Sequence, residues 1–309
     1  MRQGLLWLSE RQGVFNFVRR NGLARRFASR FVAGESIDQG VEAARELSRR
    51  GITASLDLLG ESVSAEAEAV AARDQYLRML DRMAASGAEV NVSVKLTQMG
   101  LDIAEELCLA NMTAILEQAA TLHGFVRLDM ESSAYTQRTL DFFRTRLFDR
   151  FGAHCGVVLQ SMLRRSEQDV EDLIALKARV RLCKGAYLEP PTIAFPDKAD
   201  VDGNYVRLME RLLAAGNYPG IATHDEAIIA HARDFVRREG VGTDRFEFQM
   251  LYGVRRDLQE SLRQAGFRLR VYIPFGTQWY PYLMRRLAER PANIAFFLGN
   301  IVRESVPGR

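Results

Sequence analysis

The 309-residue sequence predicts an α/β fold, namely a closed (β/α)8 barrel of the TIM type with extra helices at its N-terminus. Eight short apolar runs alternate with longer segments of helical periodicity. Alternation of this kind is typical of parallel strands joined by right-handed helical crossovers. The runs begin about 23 to 41 residues apart from residue 54 onward, so eight units fill roughly the 250 residues of such a barrel.

Each run has the length of a β-strand, and helix-like stretches such as 65–85 and 163–177 lie between the runs. An open, doubly wound sheet is the alternative arrangement. It lacks support, because no GxGxxG motif follows the first run and no GxxxxGKS/T motif occurs in the sequence. The predicted strands are Ala54–Leu59, Val90–Leu96, Phe125–Met130, Gly156–Gln160, Val180–Cys183, Ile221–Thr223, Phe246–Leu251 and Leu269–Pro274.

Residues 1–50 precede the first run and are predicted to form a basic, amphipathic helical arm, which leaves 51–309 for the barrel. Residues 1–30 contain seven arginines and a single acid, with apolar side chains interleaved. Such a helix either lies on an anionic membrane surface or packs on the main domain with its arginines in water. Further along, Ser36 and Gln39 match a capping box ahead of a helix over 41–50.

The composition is that of an ordinary globular protein, with 47% hydrophobic and 26% charged residues. Three widely spaced cysteines disfavour a disulfide framework and suit a reducing compartment. No apolar run approaches the roughly 18 residues of a membrane span, and the N-terminus lacks a secretory signal pattern. The net charge of +3 is too small to indicate nucleic-acid binding. We therefore expect a cytoplasmic protein, with peripheral attachment to the inner face of the membrane as an option.

Charged side chains fall where the second and third predicted strands end. Strict alternation over 91–97 places Lys95 on the polar face of its strand, and alternation over 126–131 does the same for Asp129. The carboxyl ends of the strands carry the chemistry in barrel enzymes. Neighbouring strands would bring the two residues within pairing distance, and a buried charge needs such a partner. A structural ion pair inside the barrel is the alternative interpretation.

The other strand ends carry amides, hydroxyls, small residues and cations. Only four of the 42 cationic residues are lysine, and two of these, Lys95 and Lys184, lie at strand ends. Small residues after the fifth strand would let a ligand approach the backbone closely. The set favours a phosphate-bearing heteroaromatic cofactor, whereas the four histidines lack metal-ligand spacing. The candidates are Gln160, Arg181, Lys184, Gly185, Ala186, Thr223, His224, Gln249, Leu251 and Tyr272.

The last predicted helix carries a group of polar residues on one face. Arg285, Arg286 and Glu289 follow Tyr282 by three, four and seven positions, a spacing that puts the four side chains on the same side. Adjacent arginines with an acid one turn away could grip a carboxylate in a bidentate manner. A solvated, salt-bridged helix face is the alternative.

Together these segments resemble the proline dehydrogenase family, flavoenzymes built on a distorted (β/α)8 barrel, and in particular its short monofunctional bacterial form. The resemblance covers roughly residues 50–300, with six segments in the family's order. The segments are SVKL at 93–96, LDME at 128–131, RLCKGAY at 181–187, TH at 223–224, FEFQML at 246–251 and YLMRRLAE at 282–289.

The resemblance implies a role for each candidate residue. Lys95, Arg285 and Arg286 would hold the carboxylate of proline. Asp129 and Glu289 would pair with these cations and orient them. The residues that would wall the pyrrolidine ring are Tyr187, Leu251, Tyr272 and Tyr282. Those that would bind FAD are Gln160, Arg181, Lys184, Gly185, Ala186, Thr223, His224 and Gln249, with Arg181 near the reactive flavin nitrogen.

The reaction implied by the resemblance is the oxidation of L-proline to Δ1-pyrroline-5-carboxylate by hydride transfer to flavin N5, the first step of proline catabolism to glutamate. A membrane quinone would accept the electrons, and a separate pyrroline-5-carboxylate dehydrogenase would take the product. Two alternatives stay open. A Schiff-base aldolase or lyase with Lys95 or Lys184 as nucleophile leaves the arginine pair unexplained. A membrane-surface or partner-binding module leaves the strand-end residues unexplained.

Overall fold

The computed structural model describes residues 29–60, 62–280 and 282–283. Eight parallel strands form a closed barrel in which each strand pairs with the next and β8 pairs with β1. The predicted (β/α)8 barrel is confirmed, and every strand lies within two residues of its predicted bounds. The strands are β1 (Thr53–Leu58), β2 (Asn91–Val94), β3 (Phe125–Leu128), β4 (Cys155–Gln160), β5 (Arg179–Cys183), β6 (Gly220–Ala222), β7 (Glu247–Leu251) and β8 (Leu269–Phe275).

Helices connect successive strands and surround the barrel. A π-helical turn at Phe143–Leu147 lies between the fourth and fifth helices. The helices in the described part of the chain are α1 (Ile37–Arg49), α2 (Glu66–Ser86), α3 (Glu105–Thr121), α4 (Ser133–Phe142), α5 (Phe148–Phe151), α6 (Ser166–Ala175), α7 (Lys198–Ala215), α8 (Glu226–Arg238) and α9 (Arg256–Gln264).

The strands are buried on both faces, and their alternation separates apolar from polar side chains. In β2, Val92 and Val94 belong to the hydrophobic core of the protein. Ser93, between them, contacts polar residues of two other strands. Its Oγ lies 3.3 Å from the Ser55 Oγ of the adjacent β1 and accepts a hydrogen bond from Arg181 of β5, across the barrel. The polar face of the alternation therefore points into the barrel, where it can form a site.

Helix α1 begins with the predicted capping box. The Ser36 Oγ accepts a hydrogen bond from the Gln39 backbone N–H at 3.3 Å, and the Gln39 Oε1 accepts one from the Ser36 backbone N–H at 3.2 Å. The helix starts at Ile37, four residues before the start at Val41 that the apolar periodicity predicts. The first turn is mostly solvent-exposed, so its apolar pattern is weak although its hydrogen bonds are formed.

Helix α1 packs on the barrel rather than standing apart from it. Val41, Ala44 and Leu47 belong to the same hydrophobic core as the strands, and a Cβ on Gly40 would touch the Phe275 ring of β8 at 3.1 Å. Residues 1–28, which include most of the predicted basic arm, lie outside the described residues, so the division at residue 50 stays a prediction. In the described ranges, no helix is both long enough and apolar enough to cross a bilayer.

Candidate active site

A buried ion-pair cluster lies at the carboxyl end of the barrel. Lys95 follows β2 directly and is 7% exposed. Its Nζ lies 3.0 Å from the Asp57 Oδ1 of β1 and 3.9 Å from the Oδ2 of Asp129, which follows β3. The structure thus brings Lys95 and Asp129 together, as the sequence predicts, but the shorter ion pair is with Asp57.

Asp57 was not identified from the sequence. It is 1% exposed, and burial raises the pKa of its carboxyl above the usual 3.8. The charge of Asp129 raises this pKa further, whereas the Lys95 ammonium lowers it. Ser55 and Asp57 alternate with apolar residues, just as the polar residues of β2 do, so the same pattern would have revealed this carboxylate.

Asp129 is held chiefly by Arg181 and Tyr272. Its Oδ1 accepts a hydrogen bond from the Arg181 Nη1 at 2.8 Å, and its Oδ2 accepts one from the Tyr272 hydroxyl at 2.9 Å. The Arg181 guanidinium also lies 5.3 Å from the centroid of the Tyr272 ring. The ion pair between Asp129 and Lys95, which the sequence predicts, is therefore longer than the ion pair between Asp129 and Arg181. Asp129 links a predicted substrate cation, Lys95, to a predicted cofactor residue, Arg181.

A second set of hydrogen bonds orients the Arg181 side chain. Its Nε donates to the Gln249 Oε1 at 2.5 Å, and the Gln249 Nε2 donates to the Glu247 Oε1 at 2.6 Å. Arg270 of β8 binds the same Glu247 carboxylate at 2.7 Å. Burial alone would raise the pKa of Glu247, but the charge and hydrogen bonds of Arg270 outweigh burial and hold it below 4.5. Glu247 is not among the residues predicted from the sequence, although it alternates with Gln249 on β7.

Gln160, at the end of β4, has an unsatisfied acceptor. Its Nε2 donates to the main-chain oxygens of Met130 and Glu131 at 3.3 and 3.2 Å. Its Oε1 is buried and has no hydrogen-bond partner in the described part of the chain. Leaving such a group unpaired costs about 1–3 kcal/mol, so a ligand N–H at this position would be stabilising. The isoalloxazine ring of FAD carries an N–H donor, and this residue therefore fits that cofactor.

His224 and Thr223 make defined contacts after β6. The His224 Nε2 accepts a hydrogen bond from the Leu251 backbone N–H at 2.9 Å, which requires this nitrogen to be unprotonated. The Thr223 Oγ1 accepts one from the Asp225 backbone N–H at 3.1 Å. The His224 bond ties the ends of β6 and β7 together, whereas the Thr223 bond closes a local turn after β6.

Lys184 follows β5 and is compensated by two carboxylates that sequence analysis did not assign to it. Its Nζ lies 2.6 Å from the Asp202 Oδ1 and 2.9 Å from the Asp225 Oδ2. Partial burial alone would raise the pKa of both carboxyls, but Lys184 holds each below 3.8. The sequence predicts a phosphate-binding lysine at this position, whereas the Lys184 ammonium is already paired with two carboxylates. Gly185, next in the chain, has φ +104°, a conformation that favours glycine.

Four further candidates are at least partly buried, and three lie outside the described residues. Tyr187 packs on a small apolar cluster of Met162, Leu163 and Ala194. Leu251 and Ala186 are half-buried, and Tyr282 is buried. Direct contacts join Lys95, Asp129, Arg181, Gln249 and Tyr272. The predicted carboxylate-binding residues of the last helix lie outside the described residues, namely Arg285, Arg286 and Glu289.

A closed (β/α)8 barrel with charged and polar side chains gathered at the carboxyl ends of its strands is the architecture of a barrel enzyme. The chain belongs to the proline dehydrogenase family. The family profile described as "Proline dehydrogenase" matches residues 41–297. This confirms the resemblance recognised in the sequence.

Individual proteins support this assignment over nearly the whole chain. The protein is 45% identical to "Proline dehydrogenase" of Deinococcus radiodurans, with 98% of each chain covered. It is 39% identical to "Proline dehydrogenase 1" of Bacillus subtilis strain 168, over 98% of this chain and 100% of that one. Among solved structures, it resembles proline utilization A (PutA) of Bdellovibrio bacteriovorus, inactivated by N-propargylglycine. That match has a TM-score of 0.81 and 26% identity, over 90% of this chain and 34% of the other.

Proposed function

We propose that the protein is an FAD-dependent proline dehydrogenase that oxidises L-proline to Δ1-pyrroline-5-carboxylate and passes the electrons to a quinone. Family membership supports the oxidation of proline. The observation that carries the proposal is the buried cluster of Asp57, Lys95, Asp129 and Arg181 at the carboxyl end of the barrel. It combines fixed cations with fixed carboxylates where a barrel enzyme performs its chemistry.

Substrate binding follows from the charges of proline. Free proline is a zwitterion, so its carboxylate requires cations and its ring requires apolar walls. In the proposal, Lys95 contributes one cation, and Arg285 and Arg286 of the last helix contribute two more, oriented by Glu289. The walls are Tyr187, Leu251, Tyr272 and Tyr282. The Asp57 and Asp129 carboxylates restrict the movement of the Lys95 ammonium, which lowers the entropic cost of ordering it on binding.

The chain's own residues would hold the cofactor and set its electrostatic surroundings. Bound FAD would supply a hydride acceptor at its N5 atom. The Gln160 Oε1 would accept a ring N–H, and Arg181 would present a positive charge whose position Asp129 and Gln249 determine. A preorganised cation stabilises negative charge that develops beside it without reorganisation of the protein. Thr223, His224, Lys184, Gly185 and Ala186 complete the proposed FAD-binding set.

We also propose where the reaction takes place. The basic, apolar-interleaved residues 1–30 would contact the inner face of the cytoplasmic membrane, where a lipid-dissolved quinone could accept the electrons. The product would pass to a separate pyrroline-5-carboxylate dehydrogenase.

A Schiff-base lyase is disfavoured by the ion pairs. Nucleophilic attack by lysine requires a neutral amine. Lys95 lies 3.0 Å from Asp57 and Lys184 lies 2.6 Å from Asp202, so both side chains are engaged in ion pairs.

The proposed function is tested by the visible spectrum of the purified protein. We expect a flavin spectrum that bleaches when L-proline is added without oxygen and returns when a quinone is added. D-proline at the same concentration is the control. A colourless protein that takes up no FAD would refute the cofactor, and a flavin spectrum that L-proline leaves unchanged would refute the substrate.

A further inference from the structure

A cavity lies at the amino end of the barrel, opposite the candidate active site. The first residues of six strands, β1, β2, β3, β5, β7 and β8, line it, which places it at that end. Its volume is about 430 Å³, within the range of small-molecule sites. The proposed proline chemistry assigns nothing to it.

The charges that line this cavity do not balance. Four arginines face two glutamates, a surplus of two positive charges. Arg270 engages both glutamates, with its Nε 2.7 Å from the Glu247 Oε1 and its Nη2 3.0 Å from the Glu89 Oε1. The other three arginines, Arg127, Arg179 and Arg268, therefore have no ion-pair partner within the residues that the structure describes.

Arg127 is the most unusual of the three because it is only 4% exposed. Its Nη1 donates to the main-chain oxygens of Arg179 and Val157 at 2.5 and 3.4 Å, while its Nε is buried and unpaired in the described part of the chain. Burial, and then the neighbouring Arg181 and Arg179, lower the pKa of Arg127 well below its usual value. A buried cation without a counter-charge is costly, and an anion would relieve that cost.

The guanidinium groups are also held in a defined arrangement by aromatic rings. Arg127 and Arg179 both stack on the Phe125 ring, at 4.8 and 4.7 Å from its centroid. Arg179 lies 4.5 Å from the Tyr218 ring centroid, and Arg268 donates to the Tyr218 hydroxyl at 3.3 Å. Stacking orients a guanidinium but leaves its charge uncompensated.

We propose that this cavity binds a small dianion with carboxylate or phosphate groups, held by Arg127, Arg179 and Arg268. The surplus of two charges matches a dianion, and guanidinium groups recognise the oxygens of both classes in a bidentate manner. Arg268, at the exposed rim, provides the entrance from solvent. The site is separate from the proposed proline site, which lies at the other end of the barrel.

The test uses the full-length, FAD-loaded protein and two probes, inorganic phosphate and succinate. We expect at least one probe at millimolar concentration to raise Tm by several degrees above sodium chloride of equal ionic strength, since ligand binding to the folded state stabilises it. The probe with the larger shift identifies the class. In Arg179→Met, calorimetric titration should give a Kd at least tenfold weaker. The control, Arg237→Met, removes an exposed arginine paired with Asp234 and should bind as wild type does.

Two outcomes would overturn the proposal. The first is a Tm that neither probe changes beyond chloride, and the second is undiminished binding by Arg179→Met. In the second case, loss of binding in Lys95→Met would place the anion in the proline site. If Arg179→Met does not fold, Arg268→Gln at the exposed rim makes the same comparison.

Discussion

Among single residues, Asp57 has a large influence on the site because it forms the shorter of the two ion pairs that Lys95 makes with carboxylates of the described residues. Both groups are more than nine-tenths buried. In such surroundings each charge depends on the other, since neither is adequately solvated by water.

Replacing Asp57 by asparagine should destabilise the protein by about 3 kcal/mol, because the change leaves a buried ammonium without its nearer carboxylate. Urea unfolding at neutral pH measures the loss. The matched control is Asp38→Asn, which removes an exposed pair with Arg82 and should cost less than about 1 kcal/mol. Equal losses in the two variants would contradict a special role for the buried pair.

Replacing Lys95 by arginine should lower kcat/KM for proline at least about tenfold, which corresponds to ~1.4 kcal/mol of transition-state stabilisation. The wider, planar guanidinium cannot occupy the position of an ammonium that lies between Asp57 and Asp129 without displacing them. Steady-state kinetics measure the effect. Lys177→Arg, at an exposed position, should leave the kinetics unchanged. Full activity of Lys95→Arg would mean that the site accepts any cation.

At the scale of elements, β7 links the amino end of the barrel to the candidate active site at the carboxyl end. Glu247 orients the amide of Gln249, and Gln249 in turn orients Arg181. The three residues alternate with apolar ones on β5 and β7, and the polar faces of the two strands together carry a continuous polar chain inside the barrel. Helix α1 depends on a local interaction rather than on contacts between strands, because the capping box pairs the backbone groups of its first turn.

The Ser36→Ala variant should lose about 1 kcal/mol of stability, since it removes the oxygen that caps the first turn of α1. Urea unfolding is the measurement. Ser48→Ala makes the same substitution at an exposed position within the same helix, where alanine has the higher helix propensity, so it should be neutral or slightly stabilising. Comparable losses at both positions would show that the cap contributes nothing.

At the scale of the whole molecule, one network of charges and amides spans the barrel, and it is buried except at Glu89. It runs from Glu89 at the amino end through Arg270, Glu247 and Gln249 to Arg181 at the carboxyl end. The network makes stability depend on pH, because Glu247 must be ionised to bind Arg270.

The pKa of Glu247 lies below 4.5 in the folded protein. Its ionisation therefore adds stability that is fully present above pH 4.5 and is lost as the pH falls through the lowered pKa. Glu247→Gln should be less stable than wild type by about 3–5 kcal/mol at neutral pH, because it leaves Arg270 short of a buried partner. The difference in unfolding free energy between the variant and wild type should shrink below pH 4.5.

Urea unfolding at neutral and acidic pH measures that difference. Glu46→Gln, at an exposed position of α1, should stay within about 0.5 kcal/mol of wild type at neutral pH. A difference between wild type and Glu247→Gln that is independent of pH would show that the carboxylate charge is not what stabilises the network.

The sequence alone determined the eight strands, their polar faces and the capping box of α1, because these features arise from local periodicity and hydrogen bonding between near neighbours. Alternation by itself places Lys95 and Asp129 on the polar faces of their strands. The start of α1 was missed by four residues, since its exposed first turn has no apolar pattern.

Only the tertiary structure decided which charges pair. Asp57 meets Lys95 because adjacent strands β1 and β2 align Asp57 with Ser93, two residues before Lys95. Arg181 meets Asp129 across the barrel interior. Asp202 reaches Lys184 only because α7 packs back on the barrel. These partners are separated in sequence by between 18 and 52 residues. Local patterns reveal which side chains point inward, but closure of the barrel selects their partners. At its amino end, closure leaves Arg127, Arg179 and Arg268 without an ion-pair partner among the described residues.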